Sequence, residues 1–348
     1  MPRHAGAVLA VTAALDTSAP NMARIYNYWL GGKDHFAADR AEADRLVALY
    51  PPLPALVREN RKFLIKAVGW AARRGIGQFI DLGAGLPVSP SVHQAARAVL
   101  PAARVAYVDT DPVVLTHAVA LLATGDGVTA VNADLRDPAA AWGHQDLRAV
   151  IDPARPVCVI LGAVVHFLDP DAACAVTAGY ASLMAPGSCL VLSCARFEDE
   201  ELAKQLAQEY TAATWYNHSP ADVAEFFDGL DLAGPGVTEA RTWPERTPEA
   251  GGRTGHVLAG VGRVPAGACG SARGWPMPDE RVRDVSGMTG SELERARRHL
   301  MASLSLAFPG SPVRGPILAH ISAIDAELAE RAGRPAASGQ PGRQTRFA

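Results

Sequence analysis

Cysteine is scarce and poorly arranged for crosslinking: Cys158, Cys174, Cys189, Cys194 and Cys269 are odd in number and form no Cys-x-x-Cys pair. They provide neither a disulfide framework nor structural-metal spacing, and several sit in apolar runs, as reduced buried thiols of a cytoplasmic protein do. Positive charge is not in excess either. Lys plus Arg number 33 against 36 Asp plus Glu, a formal net charge of -3. No basic stripe is left for a phosphate backbone and no lysine-rich helix for a membrane surface, so neither nucleic acid nor membrane is an expected partner. No apolar run approaches the roughly 20 residues of a spanning helix. The weakly hydrophobic "AGAVLAVTAAL" behind Arg3 and His4 reads as part of a flexible tail over residues 1–19 rather than as an export signal.

What the chain does have is 348 residues, 49% hydrophobic and 20% charged, enough for one full α/β core with material left over. Over residues 20–75 the patterning is helical, and a lid is expected there. "NMARIYNYWLGG" ends on a glycine pair suited to a left-handed cap, "FAADRAEADRLVALY" is stopped by Pro51 and Pro52, and "ALVRENRKFLIKAVGWAARRG" closes on Gly75. Over residues 76–263, β-like runs alternate with helical ones: "GQFIDLG", "ARVAYVD", "GVTAVNA", "PVCVILGAVVHF" and "GSCLVLSCA". Such alternation specifies a parallel sheet covered on both faces. The last two runs, "GVTEARTW" and "HVLAGVGR", have no helix between them and are expected to close the sheet edge as an antiparallel pair. Ser219 and Pro220 mark a helix start, as N-cap and first helical residue.

The chemistry gathers at strand ends. In "FIDLGAGLP", Asp81 precedes a turn with Gly83, Ala84 and Gly85, but Val88 stands where a dinucleotide fingerprint has its third glycine. A carboxylate at that mouth repels pyrophosphate and suits a cationic amino-acid group. Asp109, followed by Thr110, ends the second strand, where a carboxylate can grip two ribose hydroxyls. Asp111 reads as the N-cap of the next helix. Asp134 and Leu135 follow the third strand, placed for an adenine ring. Three acids at successive strand ends on the crevice side of one sheet form a nucleoside site.

The segments "NMARIYNYWLGGKDHFAADR", "ENRKFL", "QFIDLGAGLP", "YVDTDPVVLTHA", "NADLRDP" and "FFDGLDL" together resemble the actinobacterial family of S-adenosylmethionine (SAM)-dependent methyltransferases known as DUF574. The resemblance covers residues 20–263. It implies a class I, Rossmann-like methyltransferase fold: a seven-stranded, mostly parallel sheet with an antiparallel edge strand, an N-terminal helical lid and, beyond the family match, a C-terminal helical hairpin. It also implies SAM as cofactor, and assigns no acceptor. Two departures stand out: Ala84 occupies a position expected to be threonine, and "PVSPSVHQAA" replaces a more polar segment.

Methyl transfer from a sulfonium needs the acceptor close, aligned and dry, and needs a base only when the acceptor carries a proton that must leave early. The catalytic candidates are therefore His166, Tyr28 and Asp34, with Tyr26 and His35 beside them. Packing under a helix is the competing reading of His166, and packing of the lid that of Tyr26, Tyr28 and Trp29. "GGKDHF" is no Walker A loop, because Asn27 and Asp34 replace its first glycine and its Ser/Thr. Lys33, Arg24 or Arg61 is expected to neutralise the cofactor carboxylate. No metal is called for. The expected partner is a small-molecule acceptor. A non-catalytic binder of SAM or its demethylated product, and an NAD-dependent oxidoreductase, are the competing functions.

Beyond a Gly/Pro/Arg-rich linker over 264–289, Leu293, Leu300 and Leu304 stripe one helix, while Ile317, Ile321, Ile324 and Leu328 stripe another. They predict an antiparallel hairpin over 290–332, able to dock on the catalytic domain, a second copy or another protein. A disordered tail is expected over 333–348.

Overall fold

The computed structural model describes residues 17–123, 126–245, 254–265, 290, 293, 294, 297, 300, 301 and 314–333. The chain divides into two compact units, Met1–Trp275 and Pro276–Ala348. Most of the tail over 1–19, the linker from 266, the tail from 334, Leu304 and Cys269 lie outside the described residues.

Three helices come first: α1 (Met22–Trp29), α2 (Ala37–Leu49) and α3 (Leu53–Arg73). β1 (Gln78–Leu82), β2 (Arg104–Asp109), β3 (Val128–Asn132), β4 (Cys158–Gly162) and β5 (Cys189–Phe197) then run parallel. Helices α4 (Val92–Arg97), α5 (Pro112–Leu121), α6 (Pro138–Gly143), α7 (Gln145–Val150) and α8 (Pro170–Leu183) lie between these strands, and α9 (Glu200–Glu209) and α10 (Pro220–Glu225) follow β5. β6 (Asp231–Leu232), β7 (Thr238–Glu239) and β8 (Gly255–Arg263) complete the sheet in the order β3-β2-β1-β4-β5-β8-β6, with β7 also on β8.

Side-chain alternation along the strands divides the core in two. Phe79, Val105, Tyr107, Cys158 and Ile160 pack with Phe63 and Trp70 of α3. Ile80, Leu82, Ala106, Val108, Val159 and Leu161 pack on the other face with Trp142, Leu147 and Tyr180. Asp81 shares the parity of Phe79, so its carboxylate emerges on the side of α3. The four described cysteines are free and buried.

The sheet has eight strands where seven are expected. β8 pairs antiparallel with β5 along its whole length and with the short β6 and β7 on its other side. Those two are halves of one edge strand, interrupted where "AGPGV" turns between Leu232 and Thr238, with Gly234 and Gly236 at positive φ. A second difference lies in "PVCVILGAVVHF", which is strand only to Gly162 and then breaks at Ala163 into a 3-10 turn, Val165–Phe167. His166 therefore sits on that turn and not at a strand end.

In the C-terminal unit a helix spans Arg314–Gly333, and residues 290, 293, 294, 297, 300 and 301 are helical. Leu293 packs on Ile324, flanked by Leu300 and Leu328, and Arg297 Nε pairs with Asp325 at 2.5 Å. No helix among the described residues is long and apolar enough to cross a membrane.

Candidate cofactor and active site

The C-terminal ends of β1–β4 and the helices α1 and α3 enclose a cavity of about 550 Å³, inside the roughly 300–1,000 Å³ span of small-molecule sites. Its floor is the glycine turn after β1. Gly83 and Ala84 both donate their amides to Val108 O, at 2.9 and 3.1 Å, which folds the turn over the end of β2. Gly83 has φ +66, and a Cβ there would lie 2.6 Å from Val164 Cγ1, so no other residue fits without moving its neighbour. Ala84 lines the cavity with a methyl where a threonine hydroxyl is expected.

Asp109 locks this turn from the next strand. Its Oδ2 accepts from Gly85 N at 3.0 Å and its Oδ1 from Asp111 N at 2.9 Å. Burial, opposed by these amides, holds its carboxyl above the usual range. Each carboxylate oxygen retains acceptor capacity, so the grip on the turn leaves room for a ligand hydroxyl. Thr110 lines the cavity beside it. Asp111 caps α5 through Val113 N at 2.7 Å, as the sequence implies, and its second oxygen accepts from Asn21 Nδ2 at 2.7 Å. That bond ties the start of the lid to the sheet.

Asp81 lies at the cavity's mouth-side wall, and burial raises its carboxyl to about 7, against the pull of Arg61 and with the push of Asp109. Arg61 donates Nη2 to Val88 O at 3.0 Å and to Pro90 O, while its buried Nε has no partner. A carboxylate entering here meets an unsaturated guanidinium. Asp134 and Leu135 also line the cavity, but Asp134 is clasped by Arg136, Nη2 to Oδ2 at 2.6 Å, a partner the sequence reading missed. That clasp holds the Asp134 carboxyl below its usual value.

The lid residues divide by helical face. Met22, Tyr26 and Trp29, spaced i, i+4, i+7, line the cavity. Arg24 and Tyr28 share a different stripe and face α2, which corrects their expected place at the site. Arg24 Nε pairs with fully buried Asp39 at 2.8 Å, and the Tyr28 hydroxyl donates to Asp44 at 3.1 Å. Lys33 and Asp34 are exposed beyond the Gly31-Gly32 turn and do not line the cavity either. The turn projects them outward: Asn27 fills the space a Gly32 Cβ would need and accepts from Asp34 N at 3.1 Å. The Asp34 carboxylate is 3.8 Å from His117 Nε2.

The far wall contains His166, buried and pushed down to about 3 by burial and by His218. Its Nδ1 lies 3.4 Å from Ala195 N, a long bond. Beside it Ala163 takes φ +58, a left-handed conformation that costs a non-glycine residue about 1–3 kcal/mol. Its N–H is held by Ser193 O and Ser193 Oγ at 3.0 and 3.1 Å. A buried relay continues from there: Ser193 Oγ donates to Asn60 Oδ1 at 2.6 Å, and Asn60 Nδ2 donates to the Tyr26 hydroxyl at 2.8 Å. Burial raises Tyr26 to about 12, so it stays protonated. Asn60 lies inside "ENRKFL", and only its polarity on an apolar helix face signals this role.

Strand-end acids around a glycine turn, opened to a cavity under a helical lid, define a nucleoside site, and comparison with known proteins identifies the family. Residues 10–265 match the family model described as S-adenosyl methyltransferase. The chain belongs to that family. S-adenosylmethionine is accordingly the cofactor of this methyltransferase, and the acid-lined half of the cavity fits it, with Arg61 for a carboxylate and Asp109 for hydroxyls. Among solved structures, a candidate methyltransferase from Thermobifida fusca YX is similar at 37% identity and TM-score 0.68, covering 74% of this chain and 100% of its own. A DUF574 family protein from Streptomyces avermitilis MA-4680 is similar at 36% identity and TM-score 0.67, covering 72% of this chain and 99% of its own. Among curated proteins, none matches the methyltransferase.

Proposed function

We propose that this methyltransferase transfers the methyl group of SAM to a small-molecule acceptor by in-line displacement, inside the cavity between the β1–β5 ends and the lid. The reading rests on one observation: a single cavity joins the acid-lined turn of Asp81, Gly83, Gly85 and Asp109 to a second wall carrying His166 and Tyr26. Bound SAM supplies a methyl already activated as a sulfonium, so the protein's task is placement and exclusion of water, worth on the order of 7–11 kcal/mol.

Asp109 holds the ribose hydroxyls, Asp81 the amino-acid ammonium, and Arg61 the carboxylate. Asp134 and Leu135 border the adenine. Asn21, bonded to Asp111, keeps the lid over the cofactor. His166, neutral above about pH 3, contacts the acceptor as an uncharged imidazole and is too weak a base to remove a proton ahead of transfer. The Ser193–Asn60 relay orients the Tyr26 hydroxyl at the junction of the two halves.

Incubation with methyl-labelled SAM and actinobacterial metabolite extracts tests this. Label is expected in a low-mass product, and the transfer is expected to disappear in Asp109→Ala. Tight binding of S-adenosylhomocysteine (SAH) with no acceptor in any extract would favour the non-catalytic binder.

A further inference from the structure

The six charged side chains that line the cavity, Arg61, Asp81, Asp109, Asp111, Asp134 and Arg136, lie on the loops after β1, β2 and β3 or on α3 facing them. The other half is built from rings. Phe167 touches His166 with centroids 4.4 Å apart and stacks on Tyr210 at 5.7 Å with an interplanar angle of 18°. Trp215 stands edge-on to Phe197 at 5.2 Å and to His166 at 6.4 Å. Leu206, Ala213 and Val257 fill between them. These rings come from the 3-10 turn, the end of β5 and the chain after α9, so the wall is assembled by the fold and not by one helix. The acid that holds the chain after α9 in place is used up elsewhere: Glu42, 2% exposed, accepts from Thr211 Oγ1 at 2.6 Å and pairs with Arg45 at 2.9 Å. No side chain in this wall carries a charge to meet an ionised ligand.

We infer that the acceptor is an uncharged, planar aromatic molecule, seated against Phe167, Phe197, Tyr210 and Trp215 with its nucleophile directed to His166. The inference deepens the proposed methyl transfer and rests on that reading for the acceptor's role. Apolar ring surface is what such a wall rewards, since an aromatic pair contributes about 0.5–1.5 kcal/mol beyond the area it buries. An ionised acceptor would be desolvated here with no countercharge, at a cost of several kcal/mol.

The probe is 2-naphthol, titrated calorimetrically into the full chain with and without saturating SAH, against 2-naphthol-6-sulfonate as the charged isostere. SAH binding is measured separately. One 2-naphthol per chain is expected, with the sulfonate at least tenfold weaker. Trp215→Ala is expected to weaken 2-naphthol about tenfold and SAH less than twofold, with Trp215→Phe recovering most of the loss. If SAH binds but 2-naphthol does not, or the sulfonate binds equally well, the acceptor inference is overturned while the cofactor reading stands. If SAH fails to bind, the cofactor reading falls. The 2-naphthol titration of the ligand-free chain then still decides the aromatic wall: binding with sulfonate discrimination upholds it, and absence of binding overturns it.

Discussion

The two halves of the cavity are built on opposite principles. The cofactor half is polar and backbone-defined: Asp109 holds two amides, Asp111 caps a helix, and Gly83 sits where any Cβ would strike Val164. The aromatic half is side-chain-defined, a wall of rings from separate elements around a neutral imidazole. Backbone-defined sites tolerate few substitutions because turn geometry and ligand contact share the same atoms. Side-chain-defined ones can be re-lined while the strands stay put.

Asp109→Ala attacks the first half hardest. It removes two hydrogen bonds to the turn and the ribose acceptor together, and SAH affinity measured by calorimetry is expected to fall at least 100-fold, about 3 kcal/mol at 1.4 kcal/mol per decade. Asp81→Asn separates ligand binding from stability. In the fold Asp81 titrates near 7, whereas an unfolded carboxyl titrates near 4. Between those values the folded state keeps a proton that the unfolded state has lost. The resulting stabilisation is complete below about pH 4 and is lost as pH rises through about 7. Above that, the ligand-free protein carries a buried carboxylate at a cost on the order of 2–4 kcal/mol. Asp81→Asn is therefore expected to raise the ligand-free Tm at pH 8 and leave it unchanged near pH 4. In the same variant SAH affinity should lose the increase that the native protein shows as pH rises through about 7.

Asn60→Ala probes the seam between the halves. It strands the Ser193 and Tyr26 hydroxyls, and a loss of about 1–3 kcal/mol in chemical denaturation is expected, with SAH affinity within threefold. The smallest effects are expected from Tyr28→Phe and Asp34→Asn, whose side chains lie outside the cavity. Both should bind SAH within twofold of the parent, and a tenfold loss in either would return that residue to the site.

The same contrast explains what was legible in the sequence. Asp81, Gly83, Gly85, Asp109 and Asp134 follow strand ends, and a strand end plus a turn fixes position almost by itself. Asp111 was readable as a cap for the same reason. The lid was harder. Periodicity shows that α1 is a helix but not which stripe faces the sheet, so Arg24 and Tyr28 were placed at the site when their partners are Asp39 and Asp44 on α2. Lys33 and Asp34 depended on the exit direction of a glycine turn, which is set by Asn27 filling the space beside Gly32. The aromatic wall joins residues as far apart as His166 and Trp215, and the Asn60–Ser193 bond crosses from α3 to β5. Neither leaves a local pattern. The split edge strand was missed because "AGPGV" interrupts one strand without ending its pairing to β8.

The most direct measurement is a calorimetric titration of SAH into the native protein and Asp109→Ala at pH 8. One site per chain in the native protein and at least a 100-fold loss in the variant are predicted. Equal affinity in the two, or no binding to the native protein, would contradict a cofactor site built on the β1 turn and Asp109.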